Sequence, residues 1–154
     1  RRLQTGPDAF VRVRDEGRRV TLTYKQFDSL SVDGAKELEV VVSDFEETIK
    51  IFEAVGLVVK SYQESRRETW VLDDAEIVID QWPWLKSYLE IESTSEENIK
   101  TISSQLKLNY EDAVFGDVMV AYRAEYPHLT LKDTVGNLEE VKFDIPLPDL
   151  FKKV

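Results

Sequence analysis

The sequence predicts an α+β domain with six or seven antiparallel strands and three helices. Several short segments alternate apolar and polar side chains, which is the period of a half-buried strand. Three longer segments repeat apolar side chains every three or four residues, which is the period of an amphipathic helix. The chain has 154 residues, 42% of them hydrophobic, so we expect residues 1–154 to form a single domain with its own core.

The first half of the chain predicts three strands followed by a helix. The strands are expected at residues 10–14, 19–25 and 37–42, with a turn at 15–18 and a polar loop at 28–34. Ser43 followed by Glu46 has the spacing of a capping box and predicts the start of the helix. Its apolar stripe and its glycine stop are Phe45, Ile49, Phe52, Val55 and Gly56.

The second half predicts further strands and two more helices. Residues 57–62 and 67–72 are expected to be extended, residues 73–74 to form a turn, and residues 77–80 and 88–92 to form strands. Ser93 or Ser95 is expected to cap a helix that runs to about Lys107, and another helix is expected at about 117–126, before Pro127. A final short strand is expected at 141–143.

Composition excludes several kinds of function. The chain has no cysteine and one histidine, which removes disulfides, zinc-thiolate sites, thiol nucleophiles and nearly all histidine chemistry. The net charge of −10 disfavours nucleic acid as a partner. No apolar run approaches the ~20 residues that span a membrane, so we expect a cytoplasmic protein with no membrane partner. Its chemistry must therefore use carboxylates, arginines, lysines and metal ions.

The basic residues concentrate at one end of the chain. Residues 1–25 contain seven basic and three acidic residues, whereas the rest of the chain is strongly acidic. This asymmetry is compatible with an anion-binding site, and also with chance clustering on a solvated surface.

Polar side chains pair at two-residue spacing on five predicted strands, and residues two apart in a strand share a face. The pairs are Arg12 with Arg14, Thr23 with Lys25, Glu37 with Glu39, Val78 with Asp80, and Glu90 with Glu92. One interpretation is an ordinary sheet with one wet face and one packed face. The other is that the polar faces converge, so that arginine and lysine bind phosphate while carboxylates hold Mg²⁺ or Mn²⁺. A closed barrel with a charged lumen would satisfy the second interpretation.

Six motifs in order resemble the CYTH superfamily, the triphosphate tunnel metalloenzymes. They are Phe10-Val11-Arg12-Val13-Arg14, Leu22-Thr23-Tyr24-Lys25, Glu37-Leu38-Glu39-Val40, Arg66-Arg67-Glu68-Thr69-Trp70, Ile79-Asp80 and Tyr88-Leu89-Glu90-Ile91-Glu92. The superfamily includes class IV adenylyl cyclases, thiamine triphosphatases and inorganic triphosphatases. The resemblance implies an antiparallel eight-stranded β-barrel that forms a tunnel, with helices flanking it.

The resemblance also implies roles for individual residues. It implies triphosphate binding by Arg12, Arg14, Lys25, Arg66 and Arg67, and catalytic roles for Lys25, Arg67 and Glu39. It implies Mg²⁺ or Mn²⁺ as cofactor, with Glu39, Asp80, Glu90 and Glu92 as ligands; Glu37 carries over less firmly. The partner it implies is ATP, tripolyphosphate or thiamine triphosphate, and it is compatible with a homodimer.

Two features depart from the family pattern. The hallmark Glu-x-Glu-x-Lys strand does not occur before the first motif, so we expect the family's first strand and helix to be missing from residues 1–154. Ser65 stands where many members have a lysine, which leaves Arg66 and Arg67 to supply positive charge.

The sequence therefore predicts a metal-dependent enzyme that hydrolyses a triphosphate. A cyclase that forms cyclic AMP and pyrophosphate from ATP would use nearly the same residues, and a non-catalytic polyphosphate-binding or nucleotide-binding module is the other alternative. Hydrolysis is favoured because Trp82 and Trp84, the aromatic residues that could stack on a nucleobase, are expected to pack in a hairpin or an interface instead.

Overall fold

Alternating side chains in the first unit of the chain form a three-stranded antiparallel sheet. The computed structural model describes residues 9–27 and 35–152, and the predicted loop at 28–34 lies outside the described residues. The chain divides into two compact units, Arg1–Val59 and Lys60–Val154, and each is described by itself. In the first unit β1 (Ala9–Asp15), β2 (Val20–Phe27) and β3 (Ala35–Val42) pair in the order β1-β2-β3. The three predicted strands are confirmed.

The turn between β1 and β2 depends on a glycine. Gly17 has a φ of 76°, and its N–H donates a 2.7 Å hydrogen bond to Asp15 Oδ1. A left-handed backbone at this position suits glycine, which has no Cβ to clash. This turn sets the register that places Arg12 opposite Thr23.

Helix α1 (Phe45–Ala54) begins one residue later than the sequence predicts. Its N-cap is Asp44, whose carboxylate accepts a 2.8 Å hydrogen bond from the Glu47 N–H. The prediction that Ser43 caps this helix was wrong because Asp44 and Glu47 have the same three-residue spacing as Ser43 and Glu46. An aspartate also gains from the positive end of the helix dipole, which a serine does not. Gly56 follows the helix with a φ of 92°, as a C-terminal stop requires.

Replacing Asp44 with alanine is expected to lower the free energy of unfolding by about 1 kcal/mol, because the Glu47 N–H loses its acceptor. Urea denaturation of Asp44→Ala and Ser43→Ala measures the difference directly. A larger loss for Ser43→Ala than for Asp44→Ala would contradict this cap.

The second unit contains another three-stranded antiparallel sheet. Strands β5 (Arg66–Leu72), β6 (Ala75–Gln81) and β7 (Tyr88–Glu92) pair in the order β5-β6-β7. The predicted turn between β5 and β6 is confirmed at Asp73 and Asp74, whose φ angles of 46° and 62° lie in the left-handed region that aspartate tolerates.

Two short strands differ from the sequence predictions. Strand β4 (Tyr62–Gln63) pairs with β8 (Glu140–Val141), and this pair is parallel rather than antiparallel. The final strand was expected at 141–143, but a turn follows β8, in which the Ile145 N–H donates to the Lys142 carbonyl. Residues 57–61, expected to be extended as a strand, are not in a strand. The described residues thus contain eight strands rather than six or seven.

Helices α2 (Glu96–Gln105) and α3 (Met119–Glu125) complete the three predicted helices within the described residues. Ser95 is the N-cap of α2, since its hydroxyl accepts the Asn98 N–H. Ile102 of α2 packs on Ala75 and Ile77 of β6. The other core of this unit surrounds α3 and consists of Met119, Tyr122, Leu129, Val135, Val141 and Phe151. No helix in the described part of the chain is both long enough and apolar enough to cross a membrane.

The burial of the strand faces corrects one sequence expectation. The apolar side chains of four strand positions are exposed, although they were expected to pack: Leu38, Val40, Ile79 and Leu89. The opposite faces contain buried residues that were expected to be wet: Thr21, Thr23 and Asp80. The helices cover only part of each apolar face, since α1 packs chiefly beside β1 and α2 covers the Ala75 end of β6. The mixed α+β class is confirmed, and the closed barrel remains a prediction.

Candidate functional site

In the first unit, the pairing register places the predicted site residues on one face of the sheet. Arg12 lies opposite Thr23, and Thr23 lies opposite Glu39. Lys25 lies opposite Glu37 in the same way. Arg14 occupies the same face, because it is two residues along β1 from Arg12.

The charged groups of this first face contact one another. Glu37 lies between two cations, with Lys25 Nζ 3.4 Å from one carboxylate oxygen and Arg12 Nη2 3.8 Å from the other. The buried Thr23 hydroxyl donates a 2.8 Å hydrogen bond to Glu39 Oε2. The structure therefore brings together the predicted cations Arg12 and Lys25 with both predicted glutamates of β3.

In the second unit, an arginine and four carboxylates share one face of the other sheet. The register places Arg67 of β5 opposite Asp80 of β6, and Asp80 opposite Tyr88 of β7. The next pairs on this face are Val78 with Glu90 and Glu76 with Glu92. Like charges directly across a strand pair repel each other, so this face needs cations.

Arg67 supplies a cation to three of these carboxylates. Its Nε donates to Asp80 Oδ1 at 2.8 Å and its Nη2 to Asp80 Oδ2 at 2.5 Å. The same Nη2 lies 3.1 Å from Glu90 Oε2, and Nη1 lies 3.6 Å from Glu92 Oε1. The pKa of Arg67 is raised above its ordinary value, first by the hydrogen bond to Asp80 and then by the attraction of Asp80, Glu90 and Glu92. Arg67 therefore stays charged at every ordinary pH.

The donor set of this face suits a hard divalent cation, because Asp80, Glu90 and Glu92 offer only carboxylate oxygens. Within residues 9–27 and 35–152, however, no three acidic or histidine side chains converge as a ready-made metal site. The guanidinium of Arg67 lies among these carboxylates and contacts each of them. The chemistry of the residues fits Mg²⁺ or Mn²⁺, but their present arrangement holds an organic cation.

Two residues of this face were missed by the sequence analysis. Glu76 precedes Val78 by two residues, and Tyr88 precedes Glu90 by two, so the same alternation that selected Asp80 and Glu90 could have found them. The pKa of Tyr88 is raised, first by burial and then by the charges of Glu90 and Asp80. A tyrosine here remains a neutral hydrogen-bonding group beside the carboxylates.

The raised pKa of Tyr88 predicts a loss of stability at alkaline pH. Tyrosine in the unfolded chain ionises near its ordinary pKa of 10.0, while the folded state retains the proton. The stabilising contribution is therefore present below pH 10 and falls as the pH rises above it. Denaturant unfolding of the wild type at pH 9 and pH 11 should show this loss, and Tyr88→Phe should reduce it. An identical loss in Tyr88→Phe would assign the effect to other groups.

Arg66 lies on the opposite face of the sheet from Arg67. Its guanidinium is stacked over the Phe143 ring, 4.2 Å from the ring centre, and its Nη1 lies 3.5 Å from Gln81 Oε1. Successive side chains of a strand point to opposite faces, so the two neighbouring arginines serve different surroundings. The structure does not bring Arg66 together with Asp80, Glu90 and Glu92.

The two tryptophans that were weighed as a nucleobase platform pack against the core around α3. Trp84 lies against the Phe151 ring, with centroids 5.4 Å apart, and its indole N–H donates to the Ile145 carbonyl at 2.9 Å. Trp82 packs against the same core. Both are held by structural contacts.

Comparison with known proteins agrees with this fold. The family model described as CYTH domain matches residues 3–114, a range that includes parts of both units. A conserved hypothetical protein from Pyrococcus furiosus is similar to this chain with a TM-score of 0.61 and 18% identity, over 77% of each chain. The PH1012 protein from Pyrococcus horikoshii OT3 is similar with a TM-score of 0.63 and 21% identity, also over 77% of each chain.

A search of curated proteins gives no match. The two archaeal structures support the fold, and the family model covers well over half of the chain. The ordered motifs from Arg12 to Glu92 lie inside the matched range. The chain belongs to the CYTH domain family.

Proposed function

We propose that this chain is a divalent-metal-dependent enzyme that hydrolyses a triphosphate. Members of the CYTH family generally act on triphosphates and generally depend on divalent metals, and this chain carries the family's domain. The observation that most favours the proposal is the face on which Arg67 contacts three carboxylates, because it combines a phosphate-binding group with potential metal ligands.

In this proposal the basic side chains bind the phosphates. Arg12, Arg14 and Lys25 share one face, and Arg67 lies on the polar face of the second sheet. Arginine can bind phosphate oxygens with two parallel hydrogen bonds, and lysine acts as a compact point charge. The eight-stranded barrel implied by the resemblance belongs to this proposal, since it would let residues of both faces serve one triphosphate.

The carboxylates hold the metal in this proposal, with Asp80, Glu90, Glu92 and Glu39 as ligands. Their oxygens are the donors that Mg²⁺ and Mn²⁺ prefer. A bound divalent ion would neutralise charge on the phosphate oxygens and favour departure of the leaving group.

Hydrolysis then needs an oriented water molecule and stabilised charge. Glu39 accepts a hydrogen bond from Thr23 and has a second carboxylate oxygen with which to orient the water. The water oxygen forms a bond to the terminal phosphorus, and the bridging P–O bond breaks as orthophosphate separates from the remaining diphosphate. Lys25 and Arg67 stabilise the negative charge that develops during this step.

Cyclisation of ATP would use the same phosphate-binding and metal-binding groups. It also needs a nucleobase platform, and Trp84 is held in the core by its hydrogen bond to Ile145. We therefore favour hydrolysis over cyclisation.

The test is to incubate the chain separately with ATP, tripolyphosphate and thiamine triphosphate in Mg²⁺ or Mn²⁺ buffer. Release of orthophosphate supports the proposal, and its loss on addition of a chelator supports the metal requirement. Cyclic AMP with pyrophosphate would instead identify a cyclase. Binding without any product would identify a non-catalytic module, and neither binding nor product would contradict a triphosphate function.

A further inference from the structure

Arg67 occupies the centre of the carboxylate face described above. Its guanidinium contacts Asp80, Glu90 and Glu92 through three different nitrogen atoms. The contacts are unequal, because Asp80 receives two hydrogen bonds of 2.8 and 2.5 Å while Glu90 and Glu92 lie at 3.1 and 3.6 Å.

Burial divides the three carboxylates in the same way. The Asp80 side chain is 2% exposed, whereas the side chains of Glu90 and Glu92 are 33% and 56% exposed. Separating a buried ion pair strands a charge away from water, while an exposed pair exchanges its contact for hydration at little cost. The link from Arg67 to Asp80 is therefore durable, and the links to Glu90 and Glu92 are exchangeable.

The proposed function gives the same groups a second use. A divalent ion coordinated by Glu90 and Glu92 would require oxygen lone pairs that now face the guanidinium, and its two positive charges would repel Arg67. Arg67 and the ion therefore compete for the same two glutamates.

We propose that Arg67 is an internal counter-cation that a divalent ion displaces from Glu90 and Glu92 while Asp80 retains it. This inference rests on the proposed function. Displacement turns the Nη1 and Nη2 edge of the guanidinium away from the glutamates and frees it for phosphate oxygens. Metal loading thus prepares Arg67 for the triphosphate, and the two ligands bind with positive coupling.

The test measures Mn²⁺ affinity in the absence of any triphosphate, from the electron paramagnetic resonance signal of free Mn²⁺. Asp80→Asn is compared with the double variant Arg67→Gln/Asp80→Asn, so that neither protein contains a stranded buried Asp80 charge. Removal of Arg67 should tighten Mn²⁺ binding about tenfold, because the ion no longer displaces a cation. Circular dichroism establishes that both variants are folded.

Arg67→Lys is a second variant that keeps the charge beside Asp80. A lysine ammonium is a single point charge, so it can pair with Asp80 while releasing the glutamates, and Mn²⁺ should again bind several-fold more tightly than in the wild type. Arg66→Gln is the matched control, since it removes the same charge from the same strand on the opposite face. Its Mn²⁺ affinity should equal that of the wild type.

Unchanged or weaker Mn²⁺ binding after removal of Arg67 would overturn the inference. An absence of Mn²⁺ binding in every variant would overturn it as well, because the glutamates would then not accept the ion even without their competitor. Triphosphate turnover by the wild type is measured separately, so failure of the exchange and failure of the proposed function give different results.

Discussion

Arg67→Ala is expected to lower the free energy of unfolding by about 3 kcal/mol and to reduce triphosphate turnover at least ~100-fold. The first effect arises because Asp80, 2% exposed, loses both hydrogen bonds from the guanidinium and remains as a buried charge. The estimate lies at the lower end for a broken buried pair because the Arg67 side chain is itself 35% exposed. Urea denaturation and a phosphate-release assay measure the two effects.

A double variant separates the two effects of losing Arg67. Arg67→Ala/Asp80→Asn should recover most of the lost stability, because no unpaired charge remains buried, but it should not recover turnover. Recovery of both would mean that Arg67 acts only through folding. Loss of stability without loss of turnover in Arg67→Ala would remove Arg67 from the proposed site.

Arg66→Ala distinguishes the role implied by the resemblance from the position in the structure. Arg66 loses a stacking contact with Phe143 and a long hydrogen bond, which together stabilise by about 1 kcal/mol. We expect its effect on turnover to be smaller than that of Arg67→Ala by at least about tenfold. Equal effects on turnover would restore Arg66 to the phosphate-binding set.

Lys25→Ala is expected to reduce triphosphate turnover by about 100-fold while changing the free energy of unfolding by less than ~1 kcal/mol. The stability effect is small because the Lys25–Glu37 pair at 3.4 Å is partly exposed, so water replaces the lost contact. The effect on turnover is large because the lost cation is proposed to stabilise charge that appears only during reaction. Steady-state kinetics and thermal denaturation of one preparation provide both measurements.

Lys36→Ala is the matched control for Lys25. Lys36 lies in β3 opposite Gln26, which places it on the other face of the same sheet. Its removal changes the net charge by the same amount, so long-range electrostatics should be affected similarly. A comparable loss of turnover in both variants would assign the effect to net charge and not to the position of Lys25.

The sequence predicted the strand faces well because the two-residue alternation is local and unambiguous. Arg12, Lys25, Glu37 and Glu39 share a face in the structure, as their spacing indicated. The same rule applied to odd and even positions would also have separated Arg66 from Arg67 and added Glu76 to the site. Those two omissions came from following family motifs where the alternation carried more information.

Other features depend on contacts between distant segments and left no local signal. The parallel pairing of Tyr62 with Glu140 joins segments almost eighty residues apart, and neither segment alternates over enough residues to indicate it. The exposure of Leu38 and Ile79 depends on how far the helices extend over each sheet. Periodicity identifies two faces of a strand, but it does not say which of them is covered.

The most direct test of the central claim is a calorimetric titration of tripolyphosphate into the wild-type chain, in Mg²⁺ buffer and in chelator. Our account predicts saturable binding that is at least about tenfold tighter with Mg²⁺, because the ion and the basic side chains hold the phosphates together. Absence of binding in both buffers, or equal binding with and without Mg²⁺, would contradict the claim that these carboxylates and cations act jointly on a triphosphate.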